Sequence, residues 1–293
     1  MLLSQLVANA FPWPGVELTV DFEVAHHDRA LALRARSQVR SGPFICRFSP
    51  HLPDAFANFA IPDDNAAPTA AEVRALAEAF RERGRTPRVE FLAGCAPDAE
   101  RVLADAGFTV RHRGVVMACA PSWLTAPAPV PCLELAEPRC TADLESFALV
   151  QHRAFAESGE AGLPGEAGLA GEAGLPGEAG PPDEAGPDAA ARLARMRERG
   201  GLVMLARYRG QIAGGAACAA PVNGVGELDG VAVAQCARRR GIGAAVTARL
   251  TTLAYWRGYH LVWLESSDPA ARRVYARIGY RPIADRLYMT LGQ

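Results

Sequence analysis

The sequence predicts an α/β protein with a mixed sheet, built from two homologous domains. Three observations support this fold class. The chain has 293 residues, of which 49% are hydrophobic and 22% charged, which is typical of a folded protein long enough for two domains. Strand-like and helix-like segments alternate along the chain, and helices between strands cover the faces of a sheet. The sequence also repeats itself internally.

The internal repeat appears when the sequence is shifted by 172 residues. Residues 96–117 then fall on 268–289, with seven identities that include one proline pair, Pro97 with Pro269, and one glycine pair, Gly107 with Gly279. The same shift superimposes helix-like and strand-like segments in the same order: 58–61 on 230–233, 69–84 on 241–256, and 88–92 on 260–264. Because both the identities and the order of elements are preserved, the two halves are predicted to share one fold.

We therefore predict three parts of the chain. Domains at 1–120 and 132–293 flank a linker at 121–131 that is rich in proline and alanine. The segment 159–187 interrupts the second domain, with glycine at nearly every third position. This pattern is typical of either a collagen-like triple helix or a flexible surface insertion. We favour the insertion, because the segment is short and lies between two predicted helices.

Hydrophobic periodicity predicts the elements of the second domain. Strands are predicted at 132–136, 202–208, 212–220, 226–234, 260–265 and 280–291. Helices are predicted at 141–157, 188–199, 241–257 and 269–277.

The strongest functional signal is the segment 231–244, VAVAQCARRRGIGA. A β-branched strand leads through a basic, glycine-containing turn into a helix. Glycines let the backbone approach a ligand, and the first N–H groups of a helix together with its dipole bind anions such as pyrophosphate. The alternative is a basic turn before a glycine-rich helix. The candidate binding residues are Val231, Val233, Arg238, Arg239, Arg240, Gly241, Ile242, Gly243 and Ala244.

Two motifs in this half resemble the GNAT (GCN5-related N-acetyltransferase) family. Arg238-x-x-Gly241-x-Gly243 resembles the family's acetyl-CoA signature, Q/R-x-x-G-x-G/A. Residues 268–280 resemble the segment N-x-x-A-x-x-x-Y-x-x-x-G-F, with Asp268 in place of asparagine. The resemblance covers 132–291 directly and the first half through the internal repeat. It implies the acyl-CoA N-acyltransferase fold in both domains and acetyl-CoA as co-substrate.

The resemblance also implies roles for individual side chains. Tyr275 matches the tyrosine that protonates the departing CoA thiolate, and the alternative is a buried core tyrosine. Glu227 lies where the histone-acetyltransferase branch has its general base; Asp229 on the same strand face, or water, could act instead. Asp268 would either contact the pantetheine or simply cap a helix.

The first domain has lost these residues. Under the shift, the motif positions and the two candidate catalytic positions become residues without the same chemistry: Ala66, Thr69, Ala71, Leu103 and Ala55. An anion site cannot form there without the glycines and arginines. We therefore expect a domain that only supports structure or shapes the acceptor site.

These observations predict an N-acetyltransferase in which an amine of a small molecule or peptide attacks the thioester directly. The strand backbone around Val231 and Val233 would polarise the thioester carbonyl. The alternatives are a non-catalytic CoA-binding module, an aminoacyl-tRNA-dependent transferase and a collagen-like assembly protein.

Composition and cysteine spacing argue against several classes of partner and ligand. The net charge of −1 speaks against nucleic acid. The absence of an apolar run of about 18 residues speaks against a membrane span, and the first residues lack the basic start of a signal peptide. Seven scattered cysteines without a CxxC pair speak against a zinc site and fit a reducing compartment. We expect a cytoplasmic monomer or homodimer without metal.

Overall fold

The computed structural model describes residues 19–34, 37–49, 57–158 and 187–292. These ranges contain seven α-helices: α1 (Val20–Leu33), α2 (Ala70–Arg81), α3 (Pro97–Asp105), α4 (Thr141–Ser158), α5 (Pro187–Glu198), α6 (Ile242–Trp256) and α7 (Pro269–Arg277). They contain eleven strands: β1 (Gln38–Ser41), β2 (Phe44–Arg47), β3 (Phe59–Pro62), β4 (Arg88–Leu92), β5 (Phe108–Cys119), β6 (Leu133–Ala136), β7 (Leu202–Tyr208), β8 (Gln211–Cys218), β9 (Val225–Val233), β10 (Leu261–Ser266) and β11 (Arg281–Leu291).

The predicted fold class is confirmed. The elements predicted for the C-terminal half begin and end within two residues of the observed ones. The repeat is visible in the structure, since the shift of 172 residues places α3 on α7 residue for residue and β5 on β11. The sequence did not predict α1, β1 and β2. The predicted insertion at 159–187 lies outside the described residues, which resume at Pro187.

All eleven strands form one mixed sheet, in the order β1-β2-β3-β4-β11-β5-β10-β9-β8-β7-β6. The order shows that the two halves exchange their last strands. β11, from the C-terminal half, pairs antiparallel with β4 and β5, both from the N-terminal half. β5 in turn pairs antiparallel with β10. Each half therefore completes its sheet with a strand from the other half.

The exchange also joins the hydrophobic cores. Leu287 and Met289 of β11 are buried in the cluster that α2 and α3 form with β4, around Leu76 and Phe80. Such burial contributes about 1.5–3 kcal/mol for each large apolar side chain. The interface between the halves is therefore a continuous core as well as a ladder of hydrogen bonds.

Helices cover both faces of the sheet at the junction. α6 buries Ile242, Val246 and Leu250 on one face. On the other face, which we call the α1 face, α1 packs across strands of both halves through a cluster that includes Val24, Val116 and Trp263. No helix of the described residues is both long and apolar enough to cross a membrane.

Candidate active site

A cleft opens where two parallel strands diverge. β9 and β10 pair only at Val225–Leu261, Gly226–Val262 and Glu227–Trp263. Beyond the last pair the strands separate, and a cleft of about 480 Å³ lies between them. Its walls are the second half of β9, the loop and first turn of α6, the end of β10 and α7. Backbone groups of β9 that face this gap have no strand partner in β10.

A β-bulge turns the side chains of β9 at the cleft. Ala217 of β8 pairs with Asp229, but two residues earlier Gly215 pairs with Ala232, so β9 carries one extra residue. Gly230 lies in the bulge with φ +64°, which glycine adopts without strain. The bulge reverses the alternation of faces, so that Val231 and Val233 pack toward α6 while they line the cleft.

The N-terminus of α6 faces the cleft without a capping side chain. Its N-cap residue is Gly241, with φ +83°, and within the described residues no side chain caps the helix by a hydrogen bond. A Cβ on Gly243 would meet only Val233 Cγ2 at 3.8 Å, an ordinary contact. A small side chain would therefore fit at position 243 without a clash. The residues Gly241, Ile242, Gly243 and Ala244 all line the cleft. This geometry suits an anion.

The three arginines of the motif occupy different environments. Arg238 donates from Nε to the carbonyl of Val233 at 3.0 Å and from Nη2 to the carbonyl of Ala154 at 3.3 Å, so it ties the loop to β9 and α4. Arg239 is exposed and lines the cleft. Arg240 lies over the ring of Tyr208, 5.6 Å from its centroid, and is not among the residues that line the cleft.

The second motif forms the opposite wall. Asp268 and Tyr275 both line the cleft. The Asp268 carboxylate accepts hydrogen bonds from the backbone N–H groups of Ala270 and Ala271 at 2.7 and 3.1 Å, and so caps α7. Tyr275 is half-buried, and its ring centroid lies 6.1 Å from that of Tyr280.

The two candidate carboxylates of β9 lie at different depths. Asp229 lines the cleft, whereas Glu227 does not and lies at the last paired position beside Trp263. Asp229 Oδ1 accepts a hydrogen bond from the backbone N–H of Gly230 at 2.6 Å. Burial, followed by the negative charge of Asp229, raises the pKa of the Glu227 carboxyl well above its usual range.

Two further residues near the end of β10, Glu265 and His112, were not identified from the sequence. Glu265 of β10 lines the cleft, and its side chain is only 4% exposed. Burial raises the pKa of its carboxyl. His112 of β5 shares a hydrogen bond with the hydroxyl of Ser267, 2.9 Å from Nε2, and Ser267 also lines the cleft. The strand exchange brings His112 here, so no local pattern in the sequence could indicate it.

The equivalent position in the N-terminal half is closed. Thr69 caps α2 by accepting a hydrogen bond from the N–H of Glu72, and the Glu72 carboxylate accepts one from the N–H of Thr69 at 2.7 Å. A carboxylate therefore occupies the place that an anion would need. Within the described residues, no group of three or more His, Cys, Asp or Glu side chains could hold a metal ion.

Part of the chain matches a known protein family. Residues 175–280 match the family model described as the acetyltransferase (GNAT) family. No curated protein matches the chain.

Solved structures resemble the chain over nearly its whole length. A GCN5-related N-acetyltransferase from Kribbella flavida is 25% identical with a TM-score of 0.69, and the match covers 94% of this chain and 97% of that one. A GCN5-related N-acetyltransferase from Sphaerobacter thermophilus is 16% identical with a TM-score of 0.60, and the match covers 85% of this chain and 76% of that one.

A tandem GNAT protein from the clavulanic acid biosynthesis pathway has the same fold, with 15% identity, a TM-score of 0.59 and coverage of 91% and 88%. The likeness extends through the N-terminal half, which is therefore GNAT-like in structure. Residues 175–280 therefore form a GNAT-family domain, and the two halves of the chain together have the tandem GNAT fold.

Proposed function

We propose that the protein is an acetyl-CoA-dependent N-acetyltransferase that acts on an amine of a small molecule or a peptide. The observation that carries the proposal is the uncapped N-terminus of α6, with Gly241 at φ +83° and Arg239 beside it at the cleft. This arrangement supplies N–H donors, the positive end of a helix dipole and a cationic side chain for a pyrophosphate.

The cofactor would extend from this anion site between the diverging strands. The pantetheine arm fits beside β9, where backbone groups beyond Glu227 lack a partner in β10. An N–H group of the strand between Val231 and Val233 would donate to the thioester carbonyl and stabilise the oxyanion that develops there. Asp268, at the other wall, is proposed to lie near the pantetheine while it caps α7.

The chemistry is proposed to be direct attack. The neutral amine nitrogen forms a bond to the acetyl carbon, the carbon–sulfur bond breaks, and Tyr275 gives its hydroxyl proton to the departing thiolate. The amine's proton passes to a carboxylate of β9, for which Glu227 and Asp229 are the candidates. The raised pKa of Glu227 makes its carboxylate the stronger base, and the cleft-lining position of Asp229 suits direct contact.

The division of labour between the halves is also proposed. Residues 132–293 would carry the acetyl-CoA site. Residues 1–120, joined through 121–131, would complete the sheet and supply one wall near the acceptor.

A screen of amines with acetyl-CoA, followed by detection of free CoA thiol, tests the proposed function. We expect thiol release that depends on both the protein and an amine, and an N-acetylated product by mass spectrometry. Binding of CoA without turnover of any amine would identify a non-catalytic CoA-binding module instead.

A further inference from the structure

Ser267 and His112 form a hydrogen-bonded pair at the edge of the cleft. Ser267 Oγ lies 2.9 Å from Nε2 of His112. Ser267 is exposed and lines the cleft, whereas the side chain of His112, on β5, is 19% exposed. His112 is not among the described residues that line the cleft, so its link to a ligand there is the hydroxyl of Ser267.

Ser267 lies across the gap from the proposed position of the thioester. The last pair between β9 and β10 is Glu227 with Trp263. Val231 and Ser267 each lie four residues beyond that pair, so they stand at a similar level on the two sides of the gap, and both line the cleft. An amine that attacks a thioester held between Val231 and Val233 would therefore come within reach of the Ser267 hydroxyl.

The imidazole of His112 is suited to accept a proton. Burial, followed by the positive charge of Arg88, lowers its pKa below the ordinary value. The imidazole is therefore neutral near pH 7. The tautomer with its hydrogen on Nδ1 accepts a hydrogen bond at Nε2 from the Ser267 hydroxyl.

Two other titratable side chains pack against this imidazole. The ring centroid of Tyr288 lies 5.4 Å from that of His112, and Glu265 Oε1 lies 3.9 Å from Nε2. Burial is the main cause that raises the pKa of both the Tyr288 hydroxyl and the Glu265 carboxyl, so it disfavours their anions. Burial favours the neutral form of His112 instead, which makes it the proton acceptor of this cluster.

We propose that Ser267 and His112 carry the proton of the acceptor amine out of the cleft, by a route that does not pass through the carboxylates of β9. As the amine nitrogen bonds to the acetyl carbon, its proton moves to Ser267 Oγ, and the hydroxyl proton of Ser267 moves to Nε2 of His112. The imidazolium then releases a proton to solvent, to which the side chain is partly exposed. The inference rests on the proposed function, because it assigns the proton acceptor of the same reaction.

The relay gives the N-terminal half a part in the chemistry. Ser267 acts by contact with the amine, and His112 acts through Ser267. His112 belongs to β5, which reaches this place because it pairs with β10 of the other half. The N-terminal half, which has no glycine–arginine motif of its own, would thus supply a group to the reaction of its partner half.

Acetyl transfer by the full chain tests the inference. The probes are acetyl-CoA and the fastest acceptor among spermidine, tyramine, kanamycin and trialanine, with release of CoA thiol as the readout. Ser267→Ala should lower kcat/KM for the amine by about 10²-fold, because the first member of the relay is lost, and should leave KM for acetyl-CoA unchanged. The matched control is Ser146→Ala, which removes an exposed hydroxyl on α4 that donates to the carbonyl of Ala142 and should leave kcat/KM unchanged.

A pH profile separates proton transfer from a merely structural role of His112. Below the pKa of the imidazole, the logarithm of kcat/KM in the wild type should fall with a slope of about two, because the amine and His112 must both be deprotonated. In His112→Gln, whose amide does not titrate, the slope should be about one, and kcat/KM above that pKa should be about 10²-fold lower. The affinity for CoA checks that both variants fold.

The outcomes separate this inference from the proposed function. Wild-type kcat/KM in Ser267→Ala, or a slope near that of the wild type in a folded His112→Gln, would overturn the relay while acetyl transfer stands. Should His112→Gln fail to fold, Ser267→Ala alone decides, since its side chain is exposed. Absence of thiol release from the wild type with all four amines would overturn the proposed function as well.

Discussion

Arg238 donates a hydrogen bond from Nε to the carbonyl oxygen of Val233, 3.0 Å away, at the point where β9 leads into the loop before α6. A second hydrogen bond from Nη2 reaches the carbonyl of Ala154 on α4. The motif arginine therefore holds the backbone of the loop before α6, and protein carbonyl groups engage its guanidinium.

Replacement of Arg238 by alanine should loosen the loop. Two charge-assisted hydrogen bonds to the half-buried loop are lost, so we expect the free energy of unfolding to fall by about 1–2 kcal/mol and the Kd for CoA to rise by about tenfold. Denaturant unfolding and calorimetry measure the two effects. Arg240→Ala removes an exposed guanidinium that stacks on Tyr208 and should change stability by less than about 0.5 kcal/mol. Equal effects of both variants would refute the special role of Arg238.

Gly243→Asp should abolish CoA binding while the fold persists. A carboxylate in the first turn of a helix is favourable for the helix dipole, and the Cβ has room, since its nearest neighbour would be Val233 Cγ2 at 3.8 Å. The carboxylate would nevertheless occupy the proposed phosphate position and repel the phosphate. Gly243→Ala is the control and should bind CoA nearly as the wild type does. Unchanged CoA affinity in a folded Gly243→Asp protein would exclude this loop as the phosphate site.

One CoA molecule should bind per chain. The N-terminus of α2 is closed by Thr69 and the Glu72 carboxylate, whereas that of α6 is open. Calorimetric titration should give a stoichiometry near one, and Glu72→Gln, which removes the negative charge at α2, should leave it unchanged. Two sites per chain would contradict the assignment of the cofactor to the C-terminal half.

Tyr275→Phe should lower kcat with little effect on binding. The hydroxyl is proposed to act only as the thiolate leaves, so its loss should reduce kcat by about 10²-fold and leave KM for acetyl-CoA almost unchanged. Tyr280→Phe removes a hydroxyl that is bonded to Thr251 inside the core, and should affect stability more than kcat. An unchanged kcat in Tyr275→Phe would contradict this role and show that water protonates the thiolate.

Glu227→Gln should stabilise the protein more at pH 8 than at pH 5. The pKa of Glu227 in the folded state is raised, first by burial and then by Asp229. Stability linked to this carboxyl is therefore present below its unfolded pKa, about 4.3, and is lost as the pH rises toward the folded pKa. Glutamine resembles the neutral carboxyl and avoids this loss. Denaturant unfolding of the wild type and of Glu227→Gln at both pH values measures the difference in stability. A stability advantage of Glu227→Gln that shrinks with rising pH would contradict the prediction and show that Glu227 ionises easily in the folded protein.

Several features were predictable because they depend on local pattern. The helices α6 and α7 follow from apolar periodicity and from Pro269 and Gly279 at the two ends of the latter. The anion site at the loop from Arg238 to Gly243 stays a prediction, which rests on the exposure of the first helical N–H groups by glycines, as in any fold.

Which side chains line the cleft could be decided only from the tertiary structure. The bulge at Gly230 and the divergence of β9 from β10 place Asp229 at the cleft and Glu227 deeper. Period-2 alternation alone could not distinguish these two residues, because it places both on one face.

The sequence by itself determined the repeated unit, the elements of its second copy and the absence of the glycine–arginine motif from the first copy, since all of these depend on short-range patterns and identities. Only the tertiary structure decided that β5 and β11 change places. The two strands are homologous and offer similar backbone edges, so pairing within each half and pairing across halves look alike in the sequence. That choice, made by long-range packing of residues such as Leu287 against the opposite half, puts Gly114 beside Glu265 and joins the two halves in one sheet.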